Sequence, residues 1–124
     1  MIFTIGTEII ETQGMREAAA RGIDPAQNIF TDREATYCNS KRRQFEHYAA
    51  RYAAKRAALK ALGAGGREDL ELREVEVIDD ERGKPEMLVH GRVKEMFGER
   101  RFGQATLTLA HCRDSAIAVV ILQG

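Results

Sequence analysis

The sequence predicts an α+β fold in which one long helix packs on a mostly antiparallel sheet. Residues 43–62 form the longest run of strong helix formers, rich in alanine, lysine and arginine, and the run stops at glycine. Apolar and β-branched segments at both chain ends, residues 1–10 and 115–122, have the composition of strands. The 124 residues are enough for one modest core, so we expect a single domain over 1–124.

Local signals predict the other elements. Thr12 can cap a short helix through residue 21, and Thr31 and Glu34 have the spacing of a capping box that starts a second helix, ending near Asn39. The second half predicts a half-buried strand over 70–78, a turn over 79–85, a strand over 86–90, a helix over 91–98 and a hairpin of 105–111 with 115–122. Because the last strand is almost continuously apolar, we expect protein to cover both of its faces.

The long helix carries a cation close to its buried face. Apolar side chains recur at three- and four-residue steps, which indicates one buried face. At the helical rotation per residue, Arg56 lies about 40° from Tyr52 and about 60° from Leu59. Since an unpaired charge beside a buried face is costly, we expect another group to pair with the guanidinium of Arg56.

Glu8 interrupts the apolar N-terminal strand, and two interpretations remain open. The carboxylate could lie on the exposed face of an edge strand, which is the commoner arrangement. It could instead point inward and serve a metal ion or a cation.

Composition excludes several classes of partner. The 19 basic and 19 acidic residues cancel, so no global field favours nucleic acid or a membrane surface. The longest apolar run, residues 116–122, is too short to span a membrane. Cys38 and Cys112 are isolated and no signal peptide is visible, which favours reduced thiols in a cytoplasmic protein.

Several features suit a phosphorylated ligand, although each has a plain structural alternative. The cations at 41–43 precede a helix and could bind an anion or simply be solvated. Gly63 and Gly65 could expose backbone amides to a phosphate or merely end the helix. A turn histidine such as His111 is more often structural or solvated than catalytic. The chain has no Walker loop, dinucleotide fingerprint or zinc-type spacing of cysteine and histidine.

The order of short motifs along the chain is more specific than any one of them. The motifs are IGTEI (residues 5–9), IFTDRE (29–34), RYAAK (51–55), GAG (63–65), GKP (83–85) and TLAH (108–111). In this order and spacing the set resembles the holo-acyl-carrier-protein synthases, which are small, usually trimeric phosphopantetheinyl transferases. The resemblance covers nearly the whole chain.

The resemblance implies an activity, a partner and a cofactor. Members of that family move phosphopantetheine from coenzyme A to a serine of an acyl carrier protein and release adenosine 3',5'-bisphosphate. Their fold is α+β, their active sites lie in clefts between the protomers of a homotrimer, and they use magnesium. For this chain we therefore expect an acyl carrier protein as partner, coenzyme A as substrate and a role in fatty acid biosynthesis.

The resemblance also implies a set of ligand-binding residues. The phosphates would be faced by Lys55, Lys60 and the backbone of Gly63 to Gly65. The nucleotide end would be held by Arg51, His111 and the basic segment that ends at Arg43, with its pocket shaped by Lys84 and Pro85. Cations and oriented donors of this kind stabilise the charge that develops on a diphosphate leaving group.

The chain departs from the family at the residues that hold magnesium. Glu8 stands where the family has aspartate, and Arg56 stands where it has glutamate; those two acids are its protein ligands to the metal. A third departure is Gly14, in place of an arginine that grips the carrier protein, with Arg16 and Arg21 as substitutes.

These departures lead to a hypothesis in which Glu8, Arg56 and Lys60 are the catalytic residues. Glu8 and Arg56 pair with each other, and Arg56 occupies the metal position, so that magnesium is repelled at close range. The leading function is a divergent transferase. The alternatives are a non-catalytic paralogue that binds coenzyme A or a carrier protein, and a trimeric scaffold with no ligand.

Overall fold

The computed structural model describes residues 3–65, 67 and 69–124. Its helices are α1 (Gln13–Ala20), α2 (Asp32–Asn39), α3 (Gln44–Ala61) and α4 (Gly91–Glu99). Its strands are β1 (Phe3–Glu11), β2 (Val75–Asp79), β3 (Pro85–Val89), β4 (Gln104–His111) and β5 (Ser115–Gln123). This element order confirms the predicted α+β class. The first two residues of the predicted N-terminal strand lie outside the described residues.

The strands form two antiparallel sheets. β5 lies between β1 and β4 in a three-stranded sheet, and β2 pairs with β3 in a two-stranded sheet. Along β1 the register places Glu8 opposite Ala118 and Ile9 opposite Ile117. α3 packs across one face of the three-stranded sheet, and the apolar core lies between them.

α3 lies unusually close to β1 because small residues face each other there. A Cβ added at Gly6 of β1 would lie 1.9 Å from the carbonyl oxygen of Ala57. The helix atoms nearest to Gly6 belong to Ala57 and Ala61, which are both buried. The close approach brings the next part of β1, including Glu8, next to the C-terminal half of the helix.

α2 begins with the predicted capping box and is joined through it to β2. The Thr31 hydroxyl accepts from the Glu34 amide, and Oε1 of Glu34 accepts from the Thr31 amide at 2.9 Å. Oε2 of Glu34 accepts from the backbone amide of Val77 in β2, also at 2.9 Å. A signal that was local in sequence therefore also fixes a contact between distant elements.

Two local predictions were wrong. The strand expected over 70–78 is preceded by a 3₁₀ turn (Leu72–Glu74) and begins at Val75. Glu76 is buried instead of facing solvent, because Arg33, Thr31 and His90 all bind its carboxylate.

The other concerns the cap of α1, whereas the expectation that protein covers both faces of β5 is met on one face within the single chain. Within the chain β5 is covered on the face toward α3, whereas Ile117 on the opposite face is exposed. α1 forms where predicted, but the hydroxyl of Thr12 makes no capping hydrogen bond.

Two further observations bear on the environment of the protein. In the described part of the chain, no helix is both long and apolar enough to cross a membrane. Both cysteines are free thiols, with Cys38 buried and Cys112 exposed. Burial raises the pKa of Cys38 to about 12, so its thiol is unreactive at neutral pH.

Candidate active site

The carboxylate of Glu8 binds two cations from α3. Its Oε2 lies 3.2 Å from Nε of Arg56 and 3.1 Å from Nζ of Lys60. Nζ of Lys60 also donates to the carbonyl oxygen of Thr7 at 3.3 Å. Arg56 and Lys60 are neighbours on the helix because they are one turn apart. We call Glu8, Arg56 and Lys60 the Glu8 cluster; it confirms the predicted ion pair of Glu8 with Arg56.

The Glu8 cluster has more positive than negative charge. Burial raises the pKa of Glu8, but the hydrogen bonds and charges of Lys60 and Arg56 outweigh burial and bring that pKa below its ordinary value. In return, the hydrogen bond to Glu8 raises the pKa of Arg56. With one carboxylate and two cations, the cluster has a net charge of one positive unit at neutral pH. An arrangement of this kind attracts an anion.

A cavity of about 210 Å³ opens beside the Glu8 cluster. Arg56, Leu59, Lys60 and Gly65 line it. The side chain of Arg56 is 47% exposed and that of Lys60 is 49% exposed, so both cations can reach a ligand in this cavity. Gly63 adopts a left-handed φ of 76° and ends the helix by donating its amide to the Lys60 carbonyl. Its amide is therefore used by the helix, while Gly65 lines the cavity.

The residues at Glu8 do not fit a magnesium ion. Magnesium takes near-octahedral oxygen ligands, usually including one or two carboxylates. Within the described residues, no group of three or more aspartate, glutamate, histidine or cysteine side chains could hold a metal ion. The neighbours of the Glu8 carboxylate are an arginine and a lysine, which repel a divalent cation.

Lys55 lies in the core, contrary to the role that the resemblance implied. Its side chain is fully buried, and Nζ lies 2.7 Å from Oε1 of Glu34. Nζ also donates to the carbonyl oxygens of Leu72 and Val75. These contacts use all three donors of the ammonium group. Lys55 therefore joins α3 to α2 and β2 and does not face a phosphate.

Arg51 is also turned into the protein. Its Nη2 lies 3.3 Å from Oδ1 of Asp79, and its guanidinium stacks 4.1 Å from the ring centroid of Tyr37. Its side chain is almost completely buried. The charge of Arg51 is therefore paired within the chain, whereas the resemblance implied that Arg51 binds the nucleotide.

His111 lies at the other end of α3 from the Glu8 cluster. Its Nδ1 is 3.0 Å from Oε1 of Glu46, and its ring packs 4.9 Å from that of His47. The hydrogen bond with His111 lowers the pKa of Glu46. Nε of Arg43 lies 3.9 Å from the same carboxylate group. The structure thus brings together His111 and Arg43, two of the residues implied for the nucleotide.

The implied nucleotide residues do not meet the Glu8 cluster within one chain. From Glu46 to Lys60 the helix rises by roughly 21 Å, which separates His111 from the cluster. Lys84 and Pro85 line a different cavity of about 320 Å³ between β3 and β4. The predicted site is therefore split into separate parts on the surface of one chain.

The acids that position these side chains have little or no local signal in the sequence. The spacing of Thr31 and Glu34 predicts a capping box, but the contact of Glu34 with Lys55 joins residues 21 positions apart and leaves no local pattern. The only local signal for Glu46 is its position three residues after Arg43, a helical spacing that favours an ion pair.

Comparison with known proteins assigns the chain to a family. The family model of the 4'-phosphopantetheinyl transferase superfamily matches residues 4–120. The chain belongs to this superfamily. A holo-[acyl-carrier-protein] synthase of Geobacter sp. (strain M21) is 38% identical over 124 residues, which cover 99% of both chains. A synthase of the same name from Clostridium tetani is 36% identical, over 100% of this chain and 98% of the relative.

Solved structures of superfamily members have the same fold. The crystal structure of a holo-[acyl-carrier-protein] synthase from Neisseria meningitidis matches with a TM-score of 0.88, 27% identity and full coverage of both chains. A structure titled as an ACPS–CoA complex, from Chronobacterium ammoniagenes, matches with a TM-score of 0.85 and 25% identity, over 99% of this chain and 98% of that chain. These matches confirm the resemblance to holo-acyl-carrier-protein synthases.

Proposed function

We propose that the protein transfers phosphopantetheine from coenzyme A to a serine of an acyl carrier protein. The observation that supports this most is the cationic cavity at the Glu8 cluster, in a chain that matches holo-[acyl-carrier-protein] synthases along its whole length. In the reaction, the serine oxygen attacks the phosphorus that carries pantetheine. The bond from that phosphorus to the bridging oxygen breaks, and adenosine 3',5'-bisphosphate leaves. The serine proton ends on the leaving phosphate, which exchanges it with solvent.

The Glu8 cluster fits the demands of this step. Charge moves onto the bridging oxygen as the diphosphate breaks, so cations near the diphosphate stabilise the transition state. Arg56 and Lys60 supply two such cations at the cavity wall. Glu8 holds both of them, which reduces the reorganisation needed when the substrate binds.

The site would be completed in a homotrimer. Phe3, Ile5, Ile9 and Ile117 form an exposed apolar stripe on the sheet face that α3 does not cover, which we call the outer stripe. A contiguous apolar surface of this kind is seldom left exposed on a monomer, and association of protomers would bury it. In a trimer the His111 end of one protomer can meet the Glu8 cluster of the next, which would join the separated parts.

The carrier protein would dock near the N-terminal end of α3. Arg16, Arg42 and Arg43 line a cavity of about 210 Å³ there. Arg16 is fixed by donating to the carbonyl oxygen of Arg113 at 2.8 Å. These arginines suit an acidic surface, and Arg16 can substitute for the arginine missing at Gly14. We place the reaction in the cytoplasm as a step that serves fatty acid biosynthesis.

Intact-mass spectrometry of a carrier protein tests the proposed function. Apo-acyl carrier protein is incubated with coenzyme A, magnesium chloride and the enzyme, and a carrier with its acceptor serine changed to alanine is the control. We expect the first carrier to gain one phosphopantetheine and the second to stay unchanged. Coenzyme A binding without modification of any of several carriers would instead identify a non-catalytic binding paralogue.

A further inference from the structure

We propose that the Glu8 cluster is a metal-independent clamp for the diphosphate of coenzyme A. Arg56 and Lys60 bind the diphosphate oxygens, and Glu8 is a positioning residue that holds both side chains. This inference rests on the proposed function, since it describes how the same site binds coenzyme A.

The charge of the cluster favours an anion over a divalent cation. One carboxylate faces two basic side chains within 3.2 Å, so the cluster is already positive before any ligand arrives. A magnesium ion near Glu8 would add a double positive charge beside an arginine that cannot lose its proton. A diphosphate instead supplies negative charge, which balances the excess positive charge of the cluster.

The geometry leaves donors for that diphosphate. Glu8 accepts from Nε of Arg56, and the same guanidinium lies 5.7 Å from the ring centroid of Tyr52. A guanidinium has five N–H donors, so donors of its terminal nitrogens are left for a second acceptor. Guanidinium groups bind phosphate through paired N–H donors, which gives both strength and direction. Nζ of Lys60 contacts Glu8 and the Thr7 carbonyl, and a third N–H remains.

The cavity beside the Glu8 cluster is positioned so that a diphosphate inside it can contact both cations. Arg56 and Lys60 lie on its wall together with Gly65, whose missing side chain leaves the backbone accessible. A Cβ added at Gly65 would lie 3.4 Å from Cγ of Lys60, so Gly65 lies beside the lysine stem and leaves the space of one side chain open there. The two cations and the loop thus border one space of about 210 Å³.

Calorimetric titration with coenzyme A tests the clamp. The protein is first treated with EDTA and then titrated with coenzyme A, with and without magnesium chloride. We expect the two dissociation constants to agree within about twofold. Binding that requires magnesium, or no binding under either condition, would overturn the proposal.

Variants separate the clamp from a metal site. Arg56→Ala should weaken metal-free binding at least about tenfold, whereas Lys94→Ala, an exposed cation on α4, should leave it unchanged. Glu8→Gln should not weaken metal-free binding, because the cluster becomes more positive. It should lower kcat about tenfold with little change in KM, because Arg56 and Lys60 lose the group that positions them. Circular dichroism checks that each variant is folded.

The outcomes also separate this proposal from the proposed function. If coenzyme A binds in EDTA but no carrier is modified, the clamp stands and the transferase assignment fails. If carriers are modified only with magnesium, the transferase stands and the clamp fails. Unchanged metal-free binding in Arg56→Ala would also refute the clamp.

Discussion

At the scale of single residues, two lysines on α3 have opposite roles. Lys55 is fully buried and bonded to Glu34, whereas Lys60 is half exposed and borders the cavity. The sequence places both on one helix but does not show which lysine meets a buried acid, because Glu34 comes from a distant element. The structure makes Lys55 a stabilising residue, and we propose that Lys60 binds the ligand.

Matched substitutions test this division. Lys55→Met should lower the free energy of unfolding by about 3–5 kcal/mol, because Glu34 would stay buried without its cation. Lys60→Met should lower it by less than about 1 kcal/mol, since its ion pair is half exposed, but should weaken coenzyme A binding. Urea unfolding at fixed protein concentration and coenzyme A titration measure the two effects. A stable Lys55→Met variant that no longer binds coenzyme A would contradict the assignment.

Glu76 makes stability depend on pH in the acid range. Burial alone would raise the pKa of Glu76, but hydrogen bonds from Arg33, Thr31 and His90 outweigh it and hold that pKa at about 2, below the ordinary 4.5. A lowered acid pKa stabilises the fold above the unfolded value, and this stabilisation is lost as the pH falls toward the folded value.

Unfolding at several pH values tests the role of Glu76. Glu76→Gln should lower the free energy of unfolding at pH 7 by at most about 3 kcal/mol. The difference from the unsubstituted protein should shrink between about pH 4.5 and 2, the range set by the pKa values of Glu76. Glu86→Gln, an exposed change on β3, is the control and should show a small difference at every pH. A difference for Glu76→Gln that does not change with pH would contradict the account.

At the scale of elements, the contact of β1 with α3 positions the site. Gly6 lets the strand approach the helix backbone, and Glu8 then reaches Arg56 and Lys60. The helix was predictable from its composition and its glycine stop, and α2 from its capping box, because those signals are local. The start of β2 was not, because the groups that bury Glu76 come from α2 and from the end of β3.

Substitution of Gly6 tests this contact. In Gly6→Ala the new Cβ would lie 1.9 Å from the Ala57 carbonyl oxygen and 2.8 Å from the Ala61 nitrogen, which are backbone atoms of the helix. We expect the free energy of unfolding to fall by about 3 kcal/mol or more, and coenzyme A binding to be lost with it. Gly98→Ala in α4, where nothing lies within 4 Å, should instead raise stability by up to about 1 kcal/mol. Thermal unfolding followed by circular dichroism compares the two variants.

At the scale of the whole molecule, the residues of the candidate site are divided between two regions of the chain. The Glu8 cluster and the His111 region lie at opposite ends of α3, and the outer stripe leaves apolar side chains exposed. The sequence indicated the residue types of both regions through family resemblance. The resemblance also implied a site between protomers, but the sequence did not indicate which residues belong to which region, because that depends on where β1 and β4 meet α3.

A charge on the outer stripe tests the proposed trimer. Ile5→Asp should convert the trimer to monomers, because association would bury the new carboxylate without a partner. Coenzyme A binding should weaken with it. Ile23→Asp, a similarly exposed isoleucine in the loop after α1, should leave assembly unchanged. Size-exclusion chromatography with light scattering measures the mass, and a monomeric unsubstituted protein would contradict the proposal.

The rate of carrier modification in EDTA, compared with the rate in magnesium chloride, tests the central claim most directly. For the unsubstituted protein, we predict that intact-mass spectrometry gives two rates within about twofold of each other. The double variant Glu8→Asp with Arg56→Glu replaces the cationic clamp with two acids and should be at least about tenfold faster with magnesium. An unsubstituted enzyme whose activity disappears in EDTA and returns with magnesium would contradict the claim that Arg56 and Lys60 bind the diphosphate without a metal.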